Sequence, residues 1–247
     1  MQHIAEAQAA DLGHPESWMM DSPFNDWAVR VRRLTGRAAS ELRGAADTYF
    51  FLFKGAAEAF LPGGRHGLPC GATLFVPAGV QAEIAGAPEA YVLEMVARRP
   101  QVVDGRAATI TLTDEDRFEG DGFAYQTLAD RAGGSTGMRL NLLRVAPGSG
   151  SPDFHIHAFD QVYFILEGEM HIDIGRRTFR AGAGSLVYIP AGTVHRNYNA
   201  GPEIERHISL LVPEPGDGMV FDYAVTIHEY EAEIMTALPR AVTGRSA

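Results

Sequence analysis

A chain of 247 residues, 46% hydrophobic and 21% charged, can build one large or two small cores and has an ordinary globular composition. Its net charge of −10 argues against nucleic acid or an anionic membrane as the main partner, because both demand a basic patch. A single cysteine, Cys70, excludes an intrachain disulfide, and inert packing is expected of it.

The opening stretch MQHIAEAQAADLGHPES has neither the basic nor the apolar region of a signal peptide. No apolar run reaches the roughly 18 residues of a membrane span, so a cytoplasmic location is expected. Arg30, Arg32, Arg33, Arg37 and Arg43 follow, spread along a strand-and-turn region as a solvated face would be. Beyond them come short runs rich in Val, Ile, Leu, Phe and Tyr that stop at Gly or Pro. In order they are TYFFLF, ATLFVP, YVLEMVA, MRLNLLRV, QVYFIL, EMHIDIG, SLVYIP and RHISLLV. This spacing predicts an all-β sandwich or barrel. Helical patterns are confined to short pieces near Glu6 to Leu12, Asp114 to Phe118 and Tyr230 to Ala237.

The punctuation repeats. Gly55, Gly71, Pro77 and Gly79 each recur 113 positions later, as Gly168, Gly184, Pro190 and Gly192. Between them TYFFLFKG lies over QVYFILEG, and GATLFVPAG over GSLVYIPAG. Two copies of one β-unit are predicted, residues 1–113 and 114–247, with the polar stretch Asp104 to Arg131 as the joining linker. The copies differ in their imidazoles. His155, His157, Gln161 and His195 stand over Leu42, Gly44, Thr48 and Ala82. A residue needed to build the unit should occur in both copies, so these belong to a site in the second half only.

On a strand, side chains two apart share a face, whereas on a helix they diverge by about 200°. His155 and His157 therefore point one way, and Gln161 joins them if the strand continues. Imidazole is the commonest metal ligand, and His195 would converge on the pair if its strand lay alongside. Tyr163 has the parity of Gln161 and should face the interior, as a core aromatic or a proton donor. Arg139 and Asn141 share parity in MRLNLLRV and either line a pocket mouth or face solvent. His171 and His207 are expected to be surface or satisfied core histidines, and Glu203 and Glu205 to be exposed. Asn199 should close a loop through backbone hydrogen bonds.

The stretch Gly184 to Asn199, GSLVYIPAGTVHRNYN, resembles the second cupin motif at each of its fixed positions, Gly184, Pro190, Gly192, His195 and Asn199. The stretch His155 to Gly168 resembles the first motif, H-x-H-x(3)-E-x(6)-G, with Gln161 in place of the usual Glu. The upstream glycine of that motif is displaced: Ser149 holds the position, flanked by Gly148 and Gly150. The chain is thus similar to a bicupin over residues 25–100 and 134–213, with ligands only in the second unit. The resemblance implies two double-stranded β-helix (jelly-roll) units. It also implies one divalent metal ion (Fe, Mn, Ni, Co or Zn) held by His155, His157 and His195. Gln161 would be a fourth ligand or a brace for a ligand histidine. Pairing into a homodimer is a further implication.

Three imidazoles and an amide leave the ion its full charge, which favours an anionic, bidentate substrate such as an enolate, a catecholate or an α-keto acid. Gln161 also removes a carboxylate that could have served as a base. Three-histidine cupin sites resemble those of Fe(II) dioxygenases, with Tyr163 and Arg139 as groups that would orient the substrate. A redox-neutral isomerase, lyase or decarboxylase is the alternative within enzymes. A non-catalytic small-molecule binding module is the alternative outside them.

Overall fold

A computed structural model of the chain describes residues 4–6, 20–22, 26–34, 36–39, 45–100, 103, 105–151 and 153–227. Among them are strands, turns and two short 3-10 turns, Glu115–Arg117 and Arg131–Gly133, with no α-helix. The strands form four antiparallel sheets. One six-stranded sheet runs Thr109–Leu112, Ala72–Val76, Asp47–Lys54, Tyr91–Ala97, Trp27–Arg33, Met20–Ser22. The other runs Ile4–Glu6, Ser185–Ile189, Asp160–Glu167, Glu205–Val212, Arg139–Val145, Phe123–Ala129. Smaller sheets of four and five strands complete the two halves, so the chain is an all-β jelly-roll protein. Asp47–Lys54 and Asp160–Glu167 begin and end 113 positions apart, as do Ala72–Val76 and Ser185–Ile189.

Alternation along each strand divides two interiors. On Asp160–Glu167, Val162 and Phe164 join a core cluster shared by both halves, with Val29, Phe51, Met95, Ile208 and Leu210. The two large sheets therefore pack face to face, and each fully buried apolar side chain there contributes about 1.5–3 kcal/mol. Gln161, Tyr163 and Ile165 alternate with Val162 and Phe164 and turn to the other face, where Tyr163 and Ile165 pack into the C-terminal half's own interior. Asp47 and Asp160, again 113 apart, do the same job twice. Asp47 accepts the Ala78 N–H and Asp160 the Ala191 N–H, each at the PAG turn. Asp160 also accepts Trp27 Nε1–H at 2.9 Å, and Asp47 accepts Arg106 Nη1–H at 2.7 Å.

Several expectations change here. The stretch Asp104 to Arg131 is not only a linker: Thr109–Leu112 pairs with Ala72–Val76 and Phe123–Ala129 pairs with Arg139–Val145. Its turn-forming core is TDEDRFEGDG, and the flanking runs TITL and FAYQTLA are apolar enough for edge strands. Ile4–Glu6 leaves its own half and pairs with Ser185–Ile189. The helical pattern at Asp114 to Phe118 yields only the 3-10 turn Glu115–Arg117, opened by Asp114 accepting the Asp116 N–H and ended where Phe118 turns extended. Beyond Glu6, the stretch to Leu12 lies outside the described residues, as do Tyr230 to Ala237, Leu42, Gly44 and Arg43. Arg30 is not solvated; it is buried and bridged to Glu94 at 3.0 Å. Strand alternation sends Val29 and Val31 to the shared core and turns Arg30 inward, where only an ion pair makes its charge tolerable. Cys70 is exposed, since it sits in the turn that ends at Gly71. Among the described residues no helix is long and apolar enough to cross a membrane.

Candidate metal centre

His155 and His195 lie directly opposite one another on paired antiparallel strands. His157 follows two residues on, and its carbonyl accepts the Gly192 N–H at 2.8 Å, which ties the two motifs together. Gly192 has φ 77°, a conformation that strains any residue with a Cβ, so the PAG turn that delivers His195 needs glycine there. The three rings come together with centroids 4.4–4.9 Å apart. One ligand nitrogen from each lies within 4.8 Å of the others, and all three histidines are buried.

Each imidazole is oriented by a backbone carbonyl. Nδ1–H of His155 donates to Asp153 O at 3.0 Å, that of His157 to Phe221 O at 2.8 Å and that of His195 to Thr193 O at 2.9 Å. A carbonyl can only accept, so the proton resides on Nδ1 and every Nε2 presents a lone pair. Nε2 of His157 is buried without a hydrogen-bond partner. Burial, and behind it the charges that His155 and His157 would carry, pushes His195 down to about 3 despite its Thr193 hydrogen bond. His157 is lowered as well, chiefly by burial. Burial thus keeps His157 and His195 neutral at ordinary pH, the form that binds metal.

Gln161 stands at the start of the neighbouring strand. Its Oε1 lies 3.2 Å from Nε2 of His195, and its Nε2 donates to Ser209 Oγ at 3.4 Å. With the His195 proton on Nδ1, both atoms present lone pairs to the same side of the cluster, as two neighbouring ligands of one ion would. The donor set therefore fits a divalent ion: three Nε2 atoms and one amide oxygen, all neutral.

A cavity of about 340 Å³ opens in front of this cluster, lined by His155, His157 and Gln161. His195 is buried behind them, with no exposure. Tyr163, Arg139 and Asn141, singled out by strand parity, all line the cavity. Tyr163 donates from its hydroxyl to Asn197 Oδ1 at 3.4 Å, and its interior position raises its pKa well above the usual phenol range. His171 stacks on Tyr198 instead. His207 is fully buried, with Nδ1 at 2.9 Å from both carboxylate oxygens of Glu205. Glu205 is therefore buried rather than exposed, because it shares the inward face of its strand with His207 and Ser209. Asn199 closes its loop as expected, donating to Glu203 O and accepting the Gly201 N–H.

Sequence reasoning missed one wall. Phe221 and Asp222 line the cavity, and Asp222 Oδ1 lies 3.3 Å from Nδ1 of His157. They arrive on a strap after the last barrel strand, held where Tyr223–Ala224 pairs with His155–Ile156. A loop of GDGMVFDY has no periodicity that could have placed it.

Residues 141–211 match the Cupin domain family. A Streptomyces coelicolor protein, SCO3923, is 29% identical over 101 residues, spanning 41% of this chain and 90% of its own. Polyketide synthase CurC of Streptomyces cyaneus is 29% identical over 135 residues, spanning 53% of this chain and 83% of its own. Among solved structures, Bacillus subtilis oxalate decarboxylase, with Mn(II) centres, superposes with a TM-score of 0.62 at 14% identity. That match covers 91% of this chain and 80% of the other, and it shows a shared fold.

Proposed function

We propose, from the premise that the chain belongs to the cupin superfamily, that its C-terminal half is a metal-dependent enzyme acting on a small, anionic, chelating metabolite. The observation that carries this reading is the convergence of three Nε2 lone pairs and the Gln161 oxygen behind one cavity, with no carboxylate among the donors. A divalent ion there would supply Lewis acidity and, if it were iron, oxygen chemistry. The chain's own residues do the rest. His155, His157 and His195 would hold the ion, and Gln161 would complete the set without cancelling charge. Arg139 and Tyr163 would orient the substrate from the cavity wall. Asn197, which accepts from both Tyr163 and Ser151, aims the phenol, and burial keeps it protonated.

Chemistry of the dioxygenase type, on a diketone or phenol, is the first choice. A β-dicarbonyl or phenolate offers the paired oxygens that an uncancelled dication favours, and polyketide-derived compounds are rich in both. Similarity to a protein described as polyketide synthase CurC supports such a substrate. A redox-neutral lyase or decarboxylase is the second reading, favoured by the same neutral donor set, which serves a pure Lewis acid equally well. Oxygen uptake across a panel of diketones, catechols and keto acids separates the two. Turnover with no oxygen consumed would remove the dioxygenase. Tight binding with no turnover at all would leave a sensing module.

A further inference from the structure

We propose that the ligand of this cavity is a planar aromatic that carries a carboxylate remote from its metal-binding oxygens, and that Arg139 receives that carboxylate. The proposal rests on the metal-site reading above and narrows its substrate class. Phe123, Tyr125, Phe159, Tyr163 and Phe221 line the cavity against two leucines, Leu143 and Leu211, which makes its apolar wall mainly aromatic. A volume of about 340 Å³ sits near the lower end of small-molecule sites and suits one or two fused rings.

Arg139 is the cation of this lining, and it is handled differently from Arg30, Arg106 and Arg196. Arg30 is paired with Glu94, Arg106 with Asp47 and Arg196 with Asp173. Arg139 instead donates from Nε to Asn141 Oδ1 at 3.3 Å and from Nη2 to Thr127 Oγ1 at 2.9 Å, both neutral acceptors. Its guanidinium lies over the Phe221 ring at 5.5 Å, a contact that orients the charge without neutralising it. Glu214 feels Arg139 electrostatically but makes no ion pair with it, and burial pushes Glu214 up to about 7. A partly buried guanidinium fixed by neutral groups is a prepared seat for a bidentate carboxylate.

Register supplies the spacing. Gln161 pairs with Leu211 and Leu211 with Arg139, so the metal end and the cation lie two strands apart in one row, about 10 Å between backbones. A benzene ring with a chelating oxygen pair at one end and a carboxylate at the other bridges such a span. Charge agrees: a dication and Arg139, offset by the one lining carboxylate, Asp222, leave room for a dianion.

The test is calorimetric titration of metal-loaded, oxygen-free protein with 3,4-dihydroxybenzoate, 3,4-dihydroxybenzamide and benzoate. Wild type should bind the acid at least about tenfold more tightly than the amide. Arg139→Gln should shrink that ratio to near unity at unchanged metal content, and Arg139→Lys should restore part of it. Asn141→Asp, which sets a carboxylate against the same guanidinium, should also weaken the acid. An acid-to-amide ratio that survives both Arg139→Gln and Asn141→Asp overturns the proposal, as does a wild type that ignores the carboxylate. Benzoate separates the layers. If benzoate binding depends on Arg139 while the catechols gain nothing from metal, the chelation reading fails and the anion seat stands. If catechol binding needs metal but not Arg139, the reverse holds.

Discussion

Where the C-terminal half places Gln161, the N-terminal half places Thr48, and the inward Tyr163 is answered by Phe50. The turns around these positions are the same, and so are the aspartates that pin them, Asp47 and Asp160. What fills the interior differs. Phe50, Leu52, Leu74, Ile84 and Val92 belong to the larger apolar cluster that fills the N-terminal interior. Its buried charges are spent on each other, with Glu94 bridging Arg30 and Arg32 at 3.0 Å. The corresponding cluster of the C-terminal half is smaller, and the freed space holds the histidines and the cavity. One scaffold can thus be a plug or a vessel, depending on the inner-face residues of a few strands.

The comparison breaks most sharply on metal content. Wild-type protein should carry close to one divalent ion per chain by elemental analysis. His155→Ala or His195→Ala should lower that to near zero, because either change deletes a ligand and uncovers the rest. Two ions per chain would mean that the N-terminal half is not a plug. Next in size is the shared frame. Asp160→Ala removes the acceptor of Trp27 Nε1–H, the Tyr188 hydroxyl and the Ala191 N–H, and Asp47→Ala removes the carboxylate that pairs with Arg106. Each should cost about 3–5 kcal/mol in chemical denaturation, since buried donors lose a charged acceptor. A loss confined to one half would show that the repeated aspartates are not equivalent.

Gln161→Glu should sharpen the contrast in charge. Metal affinity, read by competition with a chelator, should rise about tenfold or more as a neutral donor becomes an anionic one. Affinity for anionic catechols should fall at the same time. The smallest effect concerns Glu214, which burial raises from 4.5 to about 7. The fold holds that proton through a window in which the unfolded chain has released it. Its stabilising contribution is therefore complete below about 4.5 and is lost as pH rises through 7. Glu214→Gln should flatten that slope and add about 1–3 kcal/mol above pH 7, measured as thermal stability against pH.

Periodicity and punctuation carried the reading of the chain a long way. The repeat offset was visible in four residues, and the strands Asp47–Lys54 and Asp160–Glu167 obey it to the residue. Strand parity grouped His155 with His157 and Gln161 with Tyr163, and left Arg139 between pocket and solvent; the strand breaks after Ile156, so Gln161 reaches the histidines from a second strand, Asp160–Glu167. The same tool, carried further, would have found Asp47 and Asp160 as a matched pair and Glu205 beside His207 as inward. It could not have found the exchange of Ile4–Glu6 into the far sheet, because a three-residue strand has no pattern of its own. Nor could it have found Phe221, whose carbonyl orients His157 across 64 residues of chain.

The sequence by itself determined the all-β class, the doubled unit and the asymmetry of its imidazoles, because side-chain alternation and turn chemistry are local and leave their period in the letters. Tertiary structure decided which atoms face which. Only folding sets Nε2 of His195 against the Gln161 oxygen, leaves Arg139 among neutral partners and brings Phe221 to the cavity wall. Those are distances between residues far apart in the chain, fixed by how strands pair and how sheets pack, and no local pattern encodes them.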